Sequence, residues 1–158
     1  MKKAFALLAA LCLLCASCAA LADFEAPAFD SMPQAVIEDE NTTVDEAAFQ
    51  GEWVLNVAFA NTDYVDEQTL AGTFGYNFMP FRIADGKIMQ DWENENGEFQ
   101  TLEAPYTFEA GQLQGKDGTG KTFTVDLLED GNIVLSVFFT GENDEVICLS
   151  VFLVHPAE

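Results

Sequence analysis

The chain has 158 residues, 27 of them acidic and six basic, for a formal net charge of −21. That balance excludes a nucleic-acid surface, whose phosphates demand Lys and Arg. It also excludes adsorption to anionic lipid through a basic patch.

The first 22 residues read as an export signal. Lys2 and Lys3 form a basic start, Ala4 to Leu14 an apolar stretch, and Ala20-Leu21-Ala22 a small-residue cleavage box. The apolar stretch is too short for a stable membrane span. Cys18 follows Leu14-Cys15-Ala16-Ser17, which resembles a bacterial lipoprotein box with Cys15 in the place of its leucine. Soluble secretion after Ala22 is the preferred reading, and a lipid anchor at Cys18 the competing one. Either route places the chain outside the cytoplasm, secreted or at the cell surface. Cleavage after Ala22 leaves Cys148 as the sole cysteine, so no internal disulfide forms and the core alone must stabilise the domain.

Residues 23–48 carry eight acidic side chains up to Glu46, no basic ones, and prolines at 27 and 33. They lack a sustained apolar period and predict a flexible leader. The competing reading folds Phe24, Phe29 and Val36-Ile37 back as a strap.

From residue 49 the pattern becomes β. Trp53, Leu55, Val57 and Phe59 are expected on one face of the first strand. Asn61 to Leu70 has a helix-start composition and predicts one short helix or lid. Phe74 to Ile83 is the expected second strand, with Pro80 at an edge or bulge, and Lys87 to Trp92 the third. Phe99 to Glu103 and Tyr106 to Glu109 read as one interrupted strand, followed by Gln112 to Lys116. In Lys121 to Leu128, Phe123, Val125 and Leu127 alternate with Thr122, Thr124 and Asp126, the pattern of a half-buried strand. Asn132 to Thr140 and Glu145 to Val154 form a last hairpin that is apolar on both faces, so something must cover its outer side.

Turn signals at Asp85-Gly86, Ala110-Gly111, Asp117-Gly118, Asp130-Gly131 and elsewhere recur through this region. Short consecutive hairpins favour an antiparallel up-and-down eight-stranded β-barrel over a Greek key. The predicted fold class is therefore all-β, with one short helix after the first strand and residues 49–158 as the barrel.

Gly51-Glu52-Trp53 at the head of the first strand resembles the Gly-x-Trp signature of the lipocalin-like, or calycin, group, and the hairpins from Phe74 to Val154 resemble its meander. The resemblance implies that Trp53 closes the barrel floor and that the open mouth admits a small hydrophobic molecule. No Lys or Arg follows Lys121 to supply the arginine that packs across that tryptophan in the group. Independently of any family, Gly51 would permit a bulge or close backbone approach at this corner.

The chemistry-bearing motifs read mostly as turns. Gly115-Lys116-Asp117-Gly118-Thr119-Gly120-Lys121-Thr122 matches the phosphate-loop pattern letter for letter. A strand rather than a helix is expected after it, and that favours a hairpin turn. Asn94, Asn96, Gly97 and Glu103 fit part of a calcium loop, but Trp92 stands where the first carboxylate belongs. His155 is the single histidine, expected as a frayed surface residue, so no triad or multi-histidine metal site is readily built. No metal, cofactor or catalytic residue is assigned, and an enzyme is not expected.

The leading function is non-enzymatic binding of a small hydrophobic ligand by Leu55, Val57, Phe59, Tyr76, Phe78, Phe123 and Val125, with Gly51 and Trp53 structural. Whether the barrel is hollow or filled is left open. The alternative is a filled cell-surface module that binds a protein partner through the outer face of the last hairpin, around Val134 and Phe138.

Overall fold

A computed structural model describes residues 26–75, 80–93, 97–141 and 143–157. The segment expected to be an export signal, with Cys18, lies outside these residues, as do Phe24, Tyr76, Phe78, Asn94 and Asn96.

Nine strands form in chain order: β1 (Gly51–Ala60), β2 (Asp63–Val65), β3 (Phe81–Ala84), β4 (Lys87–Glu93), β5 (Phe99–Glu109), β6 (Gln112–Lys116), β7 (Thr122–Leu127), β8 (Ile133–Thr140) and β9 (Val146–Val154). Every pairing is antiparallel, and β3 to β9 follow one another as neighbours. Strand β1 closes the ring, pairing with β3 on one side and β9 on the other. The result is the closed eight-strand up-and-down barrel that the turn spacing predicts. The ninth strand, β2, is a short flap on the upper half of β1.

Helix α1 (Glu67–Thr69) follows β2 and runs on as a π-helical turn from Leu70 to Phe74. Asp66 caps it, accepting the Thr69 N–H at 2.8 Å. Leu70 is buried and fastens the helix to the barrel. The helix therefore occupies Phe74, which the sequence pattern placed in a strand. Strand β3 begins only at Phe81, after Pro80, whose missing N–H and fixed φ suit a strand start.

The interior is apolar. Ile133, Leu135 and Val137 on β8 pair with Leu153, Val151 and Leu149 on β9, and all six are buried in one cluster with Leu113, Phe123 and Val125. Trp53 is fully buried at the lower end, where its Nε1–H donates to the Phe49 carbonyl at 2.9 Å. The indole thus fills space without leaving its polar atom unsatisfied. Gly51, at the start of β1, has φ +126°, and a Cβ there would meet nothing within 4 Å. Its role is backbone conformation, not the close approach also considered for it.

One expected face changes midway along β1. Leu55 pairs with Leu153, but Val57 pairs with Phe152, so the register slips at Asn56. The extra residue is a β-bulge, and a bulge reverses the alternation beyond it. Trp53, Leu55, Ala58 and Ala60 therefore pack with the interior cluster. Val57 and Phe59 face outward and join Leu128, Val134 and Phe152.

That outer cluster is covered by the acidic leader. Phe29 sets its ring edge-on to Phe59 (centroids 5.3 Å apart) and to Phe152 (6.4 Å), and Met32 packs beside it. The Val36 N–H donates to the Leu127 carbonyl, and the Glu129 N–H to the Gln34 carbonyl, at 2.8 and 3.0 Å. Val44 and Phe49 enter the main core. The expectation of a wholly flexible leader over 23–48 thus gives way, from Phe29 onward, to a strap. Its few apolar residues cover a greasy sheet face formed by Val57, Phe59, Leu128, Val134 and Phe152. A turn at Glu46–Phe49 ends the strap, where the Tyr106 hydroxyl donates to the Glu46 carboxylate (3.0 Å) and accepts from Gln50 Nε2 (2.9 Å).

Candidate functional site

The two ends of the barrel differ. The lower end is filled by Trp53, Phe49, Leu113 and Ile133, none of them exposed. The upper half holds a cavity of about 510 Å³, within the roughly 300–1,000 Å³ of small-molecule sites. Its walls come from β3 (Phe81), β4 (Ile88, Gln90), β5 (Leu102, Ala104), β7 (Phe123) and β8 (Leu135, Val137). Phe74 and Gly75 approach from the helix, and Asp117 to Thr119 from the β6–β7 turn.

Polar groups sit mainly at the rim. Lys121 lines the cavity, with its ammonium 4.3 Å above the Phe139 ring, and Phe74 meets that same ring edge-on at 5.3 Å. A cation over an aromatic face is attracted by the ring quadrupole. Glu103 at the rim is paired with Lys87 at 2.5 Å. Gln90 is the buried polar wall residue. The arrangement suits an apolar body held by dispersion and desolvation, with polar atoms left near the opening.

The phosphate-loop match resolves into a self-satisfied turn. The Asp117 carboxylate accepts from the Thr119 N–H (2.8 Å), the Thr119 hydroxyl (2.7 Å) and the Lys121 N–H (2.9 Å). The Gly120 N–H donates to the Asp117 carbonyl. Three loop N–H groups that could meet a phosphate are thus taken internally, those of Thr119 and Lys121 by the Asp117 carboxylate and that of Gly120 by its carbonyl. Strand β7 follows, so no helix N-terminus adds its field.

His155 is exposed, yet its ring stacks on Trp53, with centroids 3.8 Å apart and planes at 27°. It supplies from the chain's last residues the lid on the indole for which no late Arg or Lys exists. The sole histidine is therefore packed at the closed end and is not among the residues that line the cavity. No cluster of three metal-ligating side chains occurs among the described residues.

Of the expected ligand residues, Phe123 lines the cavity and Val125 lies deeper in the same core. Leu55 packs against that core near the base. Val57 and Phe59 are on the other side of the wall, under the strap. Tyr76 and Phe78 lie outside the described residues. Phe81, Ile88, Leu102, Leu135 and Val137 also line the cavity and are not among the expected ligand residues. Leu135 and Val137 carried a signal, since they alternate with Val134 and Ser136 on a strand read as two-faced.

No known protein family and no curated protein matches the chain. The closed eight-strand antiparallel barrel is compatible with a calycin-like fold.

Proposed function

We propose that the chain is an exported, lipocalin-like binding protein that holds a small hydrophobic molecule in the upper half of its barrel, without catalysis. One observation carries the reading: a roughly 510 Å³ apolar cavity in an otherwise filled β-barrel. Its driving force is removal of apolar ligand surface from water, at about 25 cal/mol per Å². The Lys2-Lys3 start, apolar stretch and Ala20-Leu21-Ala22 box support export.

The protein-partner alternative has less support. Val134 lies beneath Phe29 and Met32, while Phe138 and Val146 remain exposed on the last hairpin.

The test is a fluorescence titration with N-phenyl-1-naphthylamine, a neutral apolar dye, on the chain and on Val137→Trp. One-site saturable binding that the added indole abolishes supports the proposal. Absence of saturable binding to a folded wild type refutes it.

A further inference from the structure

The barrel wall has a gap beside the cavity. Strand β5 spans eleven residues and pairs with β4 along Phe99 to Pro105. Its pairing with β6 covers only Tyr106 to Glu109, and β6 ends at Lys116. Hydrogen-bonding direction alternates along an antiparallel strand. The Tyr106 N–H donates toward β4, to the Gly86 carbonyl at 3.0 Å, so residues 105, 103, 101 and 99 point their backbone groups toward β6. Pro105 has no N–H to continue that ladder. Phe99, Thr101 and Glu103 therefore present N–H and C=O groups on an edge that no strand covers among the described residues.

The cavity reaches this edge. Leu102 and Ala104 line it from β5, and Gly118 and Thr119 line it across the gap. Leu102 lines the cavity yet is 53% exposed, and Phe99 on the same edge is 63% exposed. A free edge beside an apolar hollow is the arrangement by which an extended peptide adds to a sheet: the main chain supplies hydrogen bonds and alternate side chains enter pockets.

We infer that the β5 edge from Phe99 to Glu103 captures an extended peptide in antiparallel register, with an apolar side chain of that peptide inserted into the barrel cavity. The charge selects a basic partner segment. Glu103 on the edge is already paired with Lys87, so the attraction comes from the net charge of −21, with Asp117 across the gap. A second copy of this chain would bring the same acidic edge and another net charge of −21, which repels it. The inference shares the cavity of the proposed function but assigns it a different occupant.

The probe is a fluorescent, end-capped heptapeptide, Lys-Thr-Leu-Thr-Leu-Thr-Lys, read by anisotropy. Its leucines would face the cavity, and its threonine amides would face β5. Saturable binding is expected, weakened at least about tenfold when the threonine amides are N-methylated, because two or three hydrogen bonds are lost. Thr101→Pro removes an edge N–H and keeps the β4 backbone ladder, but it also loses the Thr101 hydroxyl bond to Asp91. Thr101→Val loses that bond alone and should bind peptide normally, whereas the proline variant should weaken it similarly, with dye affinity unchanged. Equal binding of methylated and unmethylated peptide, or full binding to a folded Thr101→Pro chain, overturns the inference. If that variant fails to fold, the N-methylated peptide decides alone. Dye binding without peptide binding overturns strand capture and leaves the proposed function standing. Peptide binding of the expected kind without dye binding does the reverse.

Discussion

Trp53 and His155 lie 102 positions apart in the chain and stack face to face, 3.8 Å between ring centroids. The pair ties the first turn of β1 to the residue just past the end of β9. These two strands close the barrel, so the stack sits where the ring is sealed. The indole is buried, and the imidazole stands between it and water.

Removing the indole should be costly. Trp53→Ala would leave a large void at the filled end and orphan the Phe49 carbonyl, at about 3–5 kcal/mol. A urea or thermal unfolding curve measures it. A wild-type melting point would refute the placement of Trp53.

Removing the imidazole should be mild. His155→Ala loses an aromatic contact of about 0.5–1.5 kcal/mol and opens one face of the indole to solvent. Tryptophan emission should shift to the red and become more accessible to acrylamide. Unchanged emission and quenching would contradict the stack.

Gly115 marks the point where β5 and β6 part. A Cβ there would lie 2.4 Å from the Pro105 carbonyl oxygen and 2.5 Å from the Phe123 ring. Gly115→Ala must displace backbone or drive Phe123 toward the cavity, a typical overpacking cost of about 1–3 kcal/mol. Lower stability with weaker dye binding is expected, from paired melts and titrations.

The Asp117 turn predicts indifference to nucleotide. ATP with magnesium should leave the melting temperature unchanged, because the loop N–H groups are already bonded. Asp117→Ala should destabilise the turn by about 1 kcal/mol or more through the lost acceptor. A nucleotide-dependent rise in melting temperature would reopen phosphate chemistry.

Burial holds the Tyr106 phenol above its ordinary value of 10, and the Glu46 carboxylate adds to the rise, while Gln50 opposes it. A raised folded-state value means the neutral phenol is favoured in the fold. Its contribution is therefore complete below about pH 10 and fades as pH climbs through the folded value. Tyr106→Phe should remove this alkaline dependence and loosen the strap. Stability curves from pH 8 to 11 read both effects.

The sequence exposed the barrel because its turns are chemically explicit and the β7 residues Phe123, Val125 and Leu127 alternate cleanly. The site was less legible. Asn56 carries no mark of a bulge, yet it moves Val57 and Phe59 out of the interior. The strap rests on isolated Phe29, Met32 and Val36 in an acidic stretch, too sparse to form a period. The gap beside the cavity depends on β5 outrunning β6, and strand length mismatch leaves no residue signature beyond Pro105. His155 shows why a lone terminal residue reads poorly: its role comes entirely from where β9 ends.

The most direct measurement is methyl and aromatic NMR shift mapping during titration with N-phenyl-1-naphthylamine. Saturable shifts are expected at Leu102, Phe123, Leu135 and Val137, with Val57 and Phe152 unmoved. Shifts confined to that outer cluster or to the last hairpin, or none at all, would contradict ligand binding in the cavity.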